Sequence, residues 1–140
     1  MRLWHKNLIS ALPREQLVAQ WRELSAIAGA IQKNGTPNHL LVNFVLDYDY
    51  DHFISYAYYL RKEMTSRGYR TMDSVWNKIT ALKPEYNLLS LEKVYPKKMD
   101  DLYLMICYHN LLEKALCGGL DKKVWDKIQK ITEKTIKNII

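Results

Sequence analysis

Glu23 has the most unusual surroundings of any titratable residue in the chain. On a helix, Ala19, Ala26 and Ala30 are its i−4, i+3 and i+7 neighbours, which leaves the carboxylate on a low, open patch that a bulky ligand can approach closely. Gly29 lowers the surface further, and Arg22 and Gln20 lie nearby. A carboxylate so placed suits proton transfer or the stabilisation of developing positive charge. Small residues at helical spacing also mark packing contacts, so the spacing leaves both readings open.

A second pattern lies near the C-terminus. Lys123, Lys127, Lys130, Lys134 and Lys137 step by four, three, four and three, which puts all five ammonium groups on one helical face. Such a stripe can follow a phosphate backbone, each contact releasing a counterion, although amphipathic helices also solvate their outer faces with lysine. The histidines and cysteines form no metal motif: Cys107 and His109 are close in sequence, but no repeated Cys-x-x-Cys or His-x-x-x-His spacing accompanies them. Gly-x-Gly-x-x-Gly, Walker, Gly-x-Ser-x-Gly and paired-carboxylate motifs are absent.

These groups need elements to hold them. With 140 residues, 48% hydrophobic and 26% charged, the chain is expected to be a single domain, long enough to bury roughly two thirds of its unfolded surface. The period of the apolar residues predicts an all-α, compact helical protein with the N-terminal segment packed against the helices. The first helix runs from Pro13 to about Lys33 with Leu17, Trp21, Leu24, Ala28 and Ile31 inward, and Asn34-Gly35 ends it. His39 to Leu46 is too short an apolar run to assign. A second helix spans about Asp51 to Ser66 and stops at Gly68. Asp73 is expected to cap a short third helix that Pro84 closes.

Residues 84 to 99 read as irregular. From Asp101 to Leu116, Leu102, Met105, Ile106, Leu112 and Leu116 share one face with Leu104 and Leu111 opposite, so this helix is expected to be covered on both sides, with His109 buried. Asp121 is expected to cap the last helix, with Val124, Ile128, Ile131, Thr135 and Ile139 inward. Cys107 and Cys117 fall about 15 Å apart on one helix, too far for a disulfide. Unpaired thiols point to a reducing, cytoplasmic compartment. The opening Met-Arg-Leu-Trp-His-Lys is charged too early for a signal peptide, and no run of 18 apolar residues would span a membrane.

The net charge of +6 favours a polyanionic partner, and the first 33 residues point the same way. Leu12, Leu17, Ala19, Trp21, Arg22-Glu23-Leu24, Gly29-Ala30 and Lys33 stand at fixed distances from the initiator methionine, in a pattern that resembles the N-terminus of pyrimidine-dimer DNA glycosylases of the phage endonuclease V type. His39 to Tyr69 carries a weaker match, ending in Arg67-Gly68-Tyr69. The opening Met-Arg-Leu-Trp-His and His39-x-x-Val42-Asn43-Phe44-Val45 are closer to a bacterial branch of the family.

The resemblance implies a cofactor-free, metal-independent glycosylase with abasic lyase activity, acting on double-stranded DNA that holds a lesion or abasic site. An N-terminal α-amine attacks the sugar C1′, assisted by a glutamate, here Glu23. An α-amine with an ordinary pKa near 7.7 to 8.0 is partly neutral and nucleophilic at neutral pH. Arg22 would hold a phosphate, with Arg2, His5, Lys33 and the lysine stripe as further DNA contacts and His39 as another candidate. Where phage-type enzymes expose a threonine amine, residue 2 is Arg, so Met1 is expected to stay and supply the amine. The chain then reaches up to about 3.5 Å further, which His5, Trp4 or a shifted path must absorb. Ala26 replaces the family's basic residue, and the aromatic, basic tail is missing, with Trp125 and the stripe as substitutes. Noncatalytic nucleic-acid binding and a basic helical adaptor are the alternatives.

Overall fold

The computed structural model describes residues 1–139, with the side chains of Ile136, Asn138 and Ile139 outside that description; the inward placement expected for Ile139 falls there. The protein is all-α, with α1 Arg14–Asn34, α2 Tyr50–Ser66, α3 Asp73–Thr80, α4 Asp101–Leu116 and α5 Lys122–Ile139. Short 3-10 turns cover Lys6–Ala11, Asn43–Asp47 and Leu91–Lys93. Helix α1 packs on α2 and α3, while α5 packs on α4 and the first 3-10 turn. None of the described helices is long and apolar enough to cross a membrane.

Local chemistry explains most of the boundaries. Gly35 ends α1 at φ 76°, and its N–H reaches the Ile31 carbonyl at 2.8 Å, a left-handed turn that a side chain would strain. Asp49, Asp100 and Asp121 accept N–H bonds from Asp51, Tyr103 and Lys123 at 2.9, 2.8 and 2.7 Å, satisfying donors that helix starts leave unpaired. Asp73 does not cap α3. It is the first helical residue, and its carboxylate pairs with Arg61 at 2.5 Å. The apolar run that its short length left unassigned forms a turn and a 3-10 segment, anchored by the buried Val42 and Val45.

Helix α4 departs from expectation. Tyr103, Leu104, Cys107, Tyr108 and Leu111 are buried, whereas Leu102 and Leu116 are 66% and 78% exposed, Ile106 is exposed, and His109 faces solvent with them. Apolar residues surround this helix, so its period names no single inner face. The neighbours choose it: Tyr108 stacks on Trp125 of α5 at 5.3 Å, and Tyr103 reaches the N-terminal segment.

That segment is the centre of the fold. Leu3, Leu8 and Leu12 are fully or almost fully buried, so their backbone must find partners away from water. Side chains supply them. Gln20 Nε2 donates to the Arg2 carbonyl at 2.9 Å, and Gln20 Oε1 accepts the Trp4 N–H at 2.8 Å. Tyr56 donates to the Trp4 carbonyl at 2.6 Å, and Tyr103 donates to the Leu3 carbonyl. Beyond them, Lys6 Nζ donates to the Glu92 and Val94 carbonyls, each at 2.7 Å.

His5, expected among the DNA contacts, is instead 2% exposed. Its Nδ1 accepts the Asn7 N–H at 3.1 Å and its Nε2 meets the Met99 carbonyl at 2.9 Å, which fixes the neutral tautomer with hydrogen on Nε2. Both nitrogens are engaged, so the ring offers nothing to a ligand and cannot swing to absorb a longer N-terminus.

Two outcomes follow from this packing. Gln20→Leu orphans the Arg2 carbonyl and the Trp4 N–H together, and should lower unfolding free energy by about 3 kcal/mol, measured by urea denaturation. Burial holds the His5 imidazole below its ordinary pKa, with the Met99 carbonyl opposing. Burial likewise lowers His52. The unfolded chain therefore binds protons first. Stability should be complete above the ordinary histidine pKa of about 6.5 and fall as pH drops below it, and His5→Gln should flatten that fall in melting temperature between neutral pH and about 5.

Candidate functional site

The clamp that ties residues 2 to 4 also holds Glu23. Gln20 Nε2 donates to Glu23 Oε2 at 3.1 Å as well as to the Arg2 carbonyl at 2.9 Å, so one amide orients the carboxylate and holds the chain end. Met1 emerges just past that clamp and is 49% exposed. Glu23 is half-buried. Burial raises its carboxyl above the ordinary range, and the N-terminal ammonium, Arg22 and His39 oppose that rise in that order. The one side chain in hydrogen-bond contact with the Glu23 carboxylate among the described contacts is that of Gln20.

Arg22 is exposed one residue before Glu23 on α1. His39 sits at the start of the turn that follows α1, where its N–H donates to Asn43 Oδ1 at 2.9 Å and its Nδ1 accepts the Leu41 N–H at 3.3 Å. This fixes the imidazole on a short, braced turn. Around Glu23, Ala26 is exposed while Ala19 and Ala30 are half-buried, in keeping with an open approach. Gly29 does not contribute to it. A Cβ there would meet Lys78 Nζ at 3.0 Å, so this glycine makes room for the α3 side chain on another side of α1.

The remaining candidates spread out. Arg2 is half-buried, its guanidinium 5.8 Å from the Trp4 ring centroid. Burial pushes the Cys107 thiol up, opposed by the His5 backbone, Tyr103 and Arg2, as expected for an inert core cysteine. Lys33 is exposed in the last turn of α1, about 15 Å along the axis from Glu23. Lys123, Lys127, Lys130, Lys134 and Lys137 are all exposed on α5. They are not equivalent: Lys127 Nζ donates to the Ser10 carbonyl at 2.8 Å, and Lys137 pairs with Glu133 at 3.1 Å. Among the described residues no group of three or more His, Cys, Asp or Glu is placed to hold a metal ion.

In the sequence Gln20 stands out only as a neighbour of Glu23, and nothing there gives Tyr56 or Tyr103 a role. A signal for Gln20 was present, since it falls on the inward stripe between Leu17 and Leu24, where a polar side chain must find buried partners. The two tyrosines carry no comparable mark. Their partners are backbone carbonyls 52 and 100 residues away.

No curated protein and no solved structure matches the chain. The family model described as pyrimidine dimer DNA glycosylase matches residues 1–77. The match spans Met1, Arg22, Glu23 and His39, together with Gln20 and Tyr56 of the clamp. It covers more than half of the 140 residues, and the chain belongs to the pyrimidine dimer DNA glycosylase family.

Proposed function

We propose that this protein excises damaged bases from double-stranded DNA and cleaves the resulting abasic site through a Schiff base on its N-terminal amine, with Glu23 as the assisting carboxyl. The observation that carries this reading is the Gln20 amide, which holds both the chain end and Glu23 and so keeps amine and carboxyl in register. Proximity of this kind converts an encounter between groups into an intramolecular arrangement.

The chemistry follows from those two groups. The neutral Met1 amine attacks C1′ of the damaged nucleotide, the bond from C1′ to the base breaks, and the base leaves with that electron pair and gains a proton. Loss of the amine proton and opening of the sugar ring give a protonated imine at C1′. Glu23 stabilises the positive charge as it develops, then takes a proton from C2′, and the electron pair released expels the 3′ phosphate. Burial raises the Glu23 pKa, which makes its carboxylate a better proton acceptor than an exposed one. Arg22, exposed beside it, suits a phosphate of the same strand.

The clamp defines how the retained methionine is accommodated. Arg2, Leu3 and Trp4 are tied at their carbonyls, so a nucleophile on Met1 gains its reach from the one residue outside the clamp, with no help from His5.

Trapping with borohydride on an abasic duplex tests this directly. Wild-type protein should form a covalent adduct at the Met1 amine, identified by mass spectrometry. Acetylation of the amine should abolish the adduct while noncovalent binding persists, and adduct on a lysine in the acetylated protein would refute the amine assignment. Glu23→Gln keeps the acceptor for Gln20, so its stability should change by less than about 0.5 kcal/mol. Its strand cleavage should fall about a hundredfold or more.

The α5 stripe is read as the duplex-binding face flanking this centre. Because Lys127 also holds the Ser10 carbonyl, the informative change is Lys123→Glu with Lys130→Glu and Lys134→Glu. Fluorescence anisotropy should show weaker duplex binding and a shallower dependence on salt, the log–log slope falling by about 0.9 for each phosphate that is no longer neutralised. An unchanged slope would return α5 to a solvated face.

A further inference from the structure

Two adjoining cavities lie on the outer side of α2, away from the clamp. Tyr56 points from α2 to the Trp4 carbonyl and Gln20, and Tyr58 follows two residues later, about 200° further round the helix. From there Tyr58, Arg61, Lys62 and Thr65 recur at i, i+3, i+4 and i+7, which is a single face. They line a cavity of about 570 Å³ that Trp76 of α3 and Tyr86 close from the far side. Pockets that hold small ligands span roughly 300 to 1,000 Å³. A second cavity, of about 230 Å³, shares Lys62 and Ser66 with the first and continues to Tyr59, Asn7 and Leu91.

The walls are braced. The Asn87 and Leu89 N–H groups donate to Asp51 Oδ1 and Ser55 Oγ of α2 at 3.0 and 2.9 Å, and the Tyr59 hydroxyl donates to the Leu89 carbonyl at 2.8 Å. Tyr86 and Leu88, which alternate with these anchored residues, line the larger cavity, as the two-residue period of an extended chain requires. On the other wall Thr71 and Asp73 hold Arg61, whose guanidinium lies 5.7 Å from the Trp76 ring centroid. The Trp76 and Tyr86 rings stand at 90° with their centroids 6.0 Å apart. They form a corner in which a flat ring can lie against one and meet the other edge-on.

The chemistry of this lining selects the ligand. Arg61 and Lys62 line the larger cavity and no carboxylate does. Asp73 offsets Arg61, whereas Lys62 is exposed and has no acidic partner among the described ion pairs. Glu63, the acidic residue of the smaller cavity, is tied to Arg67 at 2.7 Å. Aromatic rings beside a spare cation suit an unstacked base and its phosphate. The spare cation stands where the two cavities meet, which is the place of a phosphate that joins two nucleotides. We propose that this groove binds two successive unstacked nucleotides of single-stranded DNA, with one base in the corner of Trp76 and Tyr86, the linking phosphate at Lys62 and the second base by Tyr59. The net charge of +6 and a family that acts on DNA favour this occupant. Because the groove lies across α2 from the clamp, the inference goes beyond the Schiff-base reading and does not rest on it.

Fluorescence anisotropy of the full-length protein tests this with labelled pentathymidylate and an equally long strand of tetrahydrofuran spacers, which carries the same phosphates without bases. Wild type should bind the thymidylate about tenfold more tightly, since stacking needs bases, whereas the α5 lysines meet phosphates alone and favour neither strand. Tyr86→Leu should abolish the preference and Tyr86→Phe should keep it. Lys62→Glu, at an exposed position, should weaken thymidylate binding several-fold with an unchanged melting temperature, which keeps the test decisive if Tyr86→Leu is unstable. Thymidine monophosphate spans one cavity and should compete at least tenfold less well than the pentamer. Equal binding of the two strands by wild type would overturn the groove, as would a thymidylate affinity that neither Tyr86→Leu nor Lys62→Glu changes. Competition by the monophosphate at the affinity of the pentamer would overturn the strand and leave a free nucleotide as the ligand. Borohydride trapping reads the other site. Its absence with an intact base preference rejects the lyase chemistry and keeps the groove; intact trapping with equal binding of the two strands does the reverse.

Discussion

An extended chain end buried among helices has no strand to pair with, and its peptide groups must still be hydrogen-bonded. In this protein the Gln20 amide meets that constraint by presenting a carbonyl to the Trp4 N–H and an N–H to the Arg2 carbonyl, much as a neighbouring strand would. Tyr56 and Tyr103 complete the set from α2 and α4. The location of Met1, the orientation of Glu23 and the packing of three helices around Leu3 all depend on this arrangement.

The same constraint explains why the site combines a half-buried carboxylate with an exposed chain end. Glu23, tied to the chain end through Gln20, is partly out of water, which raises its pKa, and the ammonium, Arg22 and His39 limit the rise. Neither effect removes the other. The result is a carboxyl group of raised basicity beside an exposed alanine, Ala26. Aromatic packing of Phe44, Tyr48 and His52 around Tyr95 anchors the turn that follows His39.

Residues beyond the family match are as much a part of this construction as those within it. Tyr103 pins Leu3, Met99 receives the His5 ring through its carbonyl and the Lys6 N–H through its sulfur at 3.2 Å, and the Glu92 and Val94 carbonyls hold Lys6. The match ends at residue 77, yet the segment that leads to Glu23 is closed from the other side by residues 92 to 103. Helix α5 adds its own layer, with Lys127 on the Ser10 carbonyl, which also accepts from Arg67 at the C-terminal end of α2. The second half of the chain therefore fastens the first, whatever further contacts its lysines make.

Most helices and their ends were legible in the order of residues, because they depend on neighbours within four positions: the inward stripe of α1, the stop at Gly35, the cap at Asp121. Glu23 was legible for the same reason, since the alanines that open its surroundings are its own helical neighbours, and the family pattern lay in the same stretch. What each polar group inside would bind was settled by the packing of distant segments. His5 and Lys6 look like surface residues of a basic N-terminus, and they are buried because carbonyls of Met99, Glu92 and Val94, more than 80 residues away, receive them. Asp73 had the composition of a cap and was taken by Arg61 instead. In α4, apolar residues on every side gave the period no preferred direction, so contact with α5 and the chain end chose the inner face and left Leu102, Ile106 and Leu116 to solvent. Local spacing fixes what a helix can present, and only the placement of distant segments fixes what it meets.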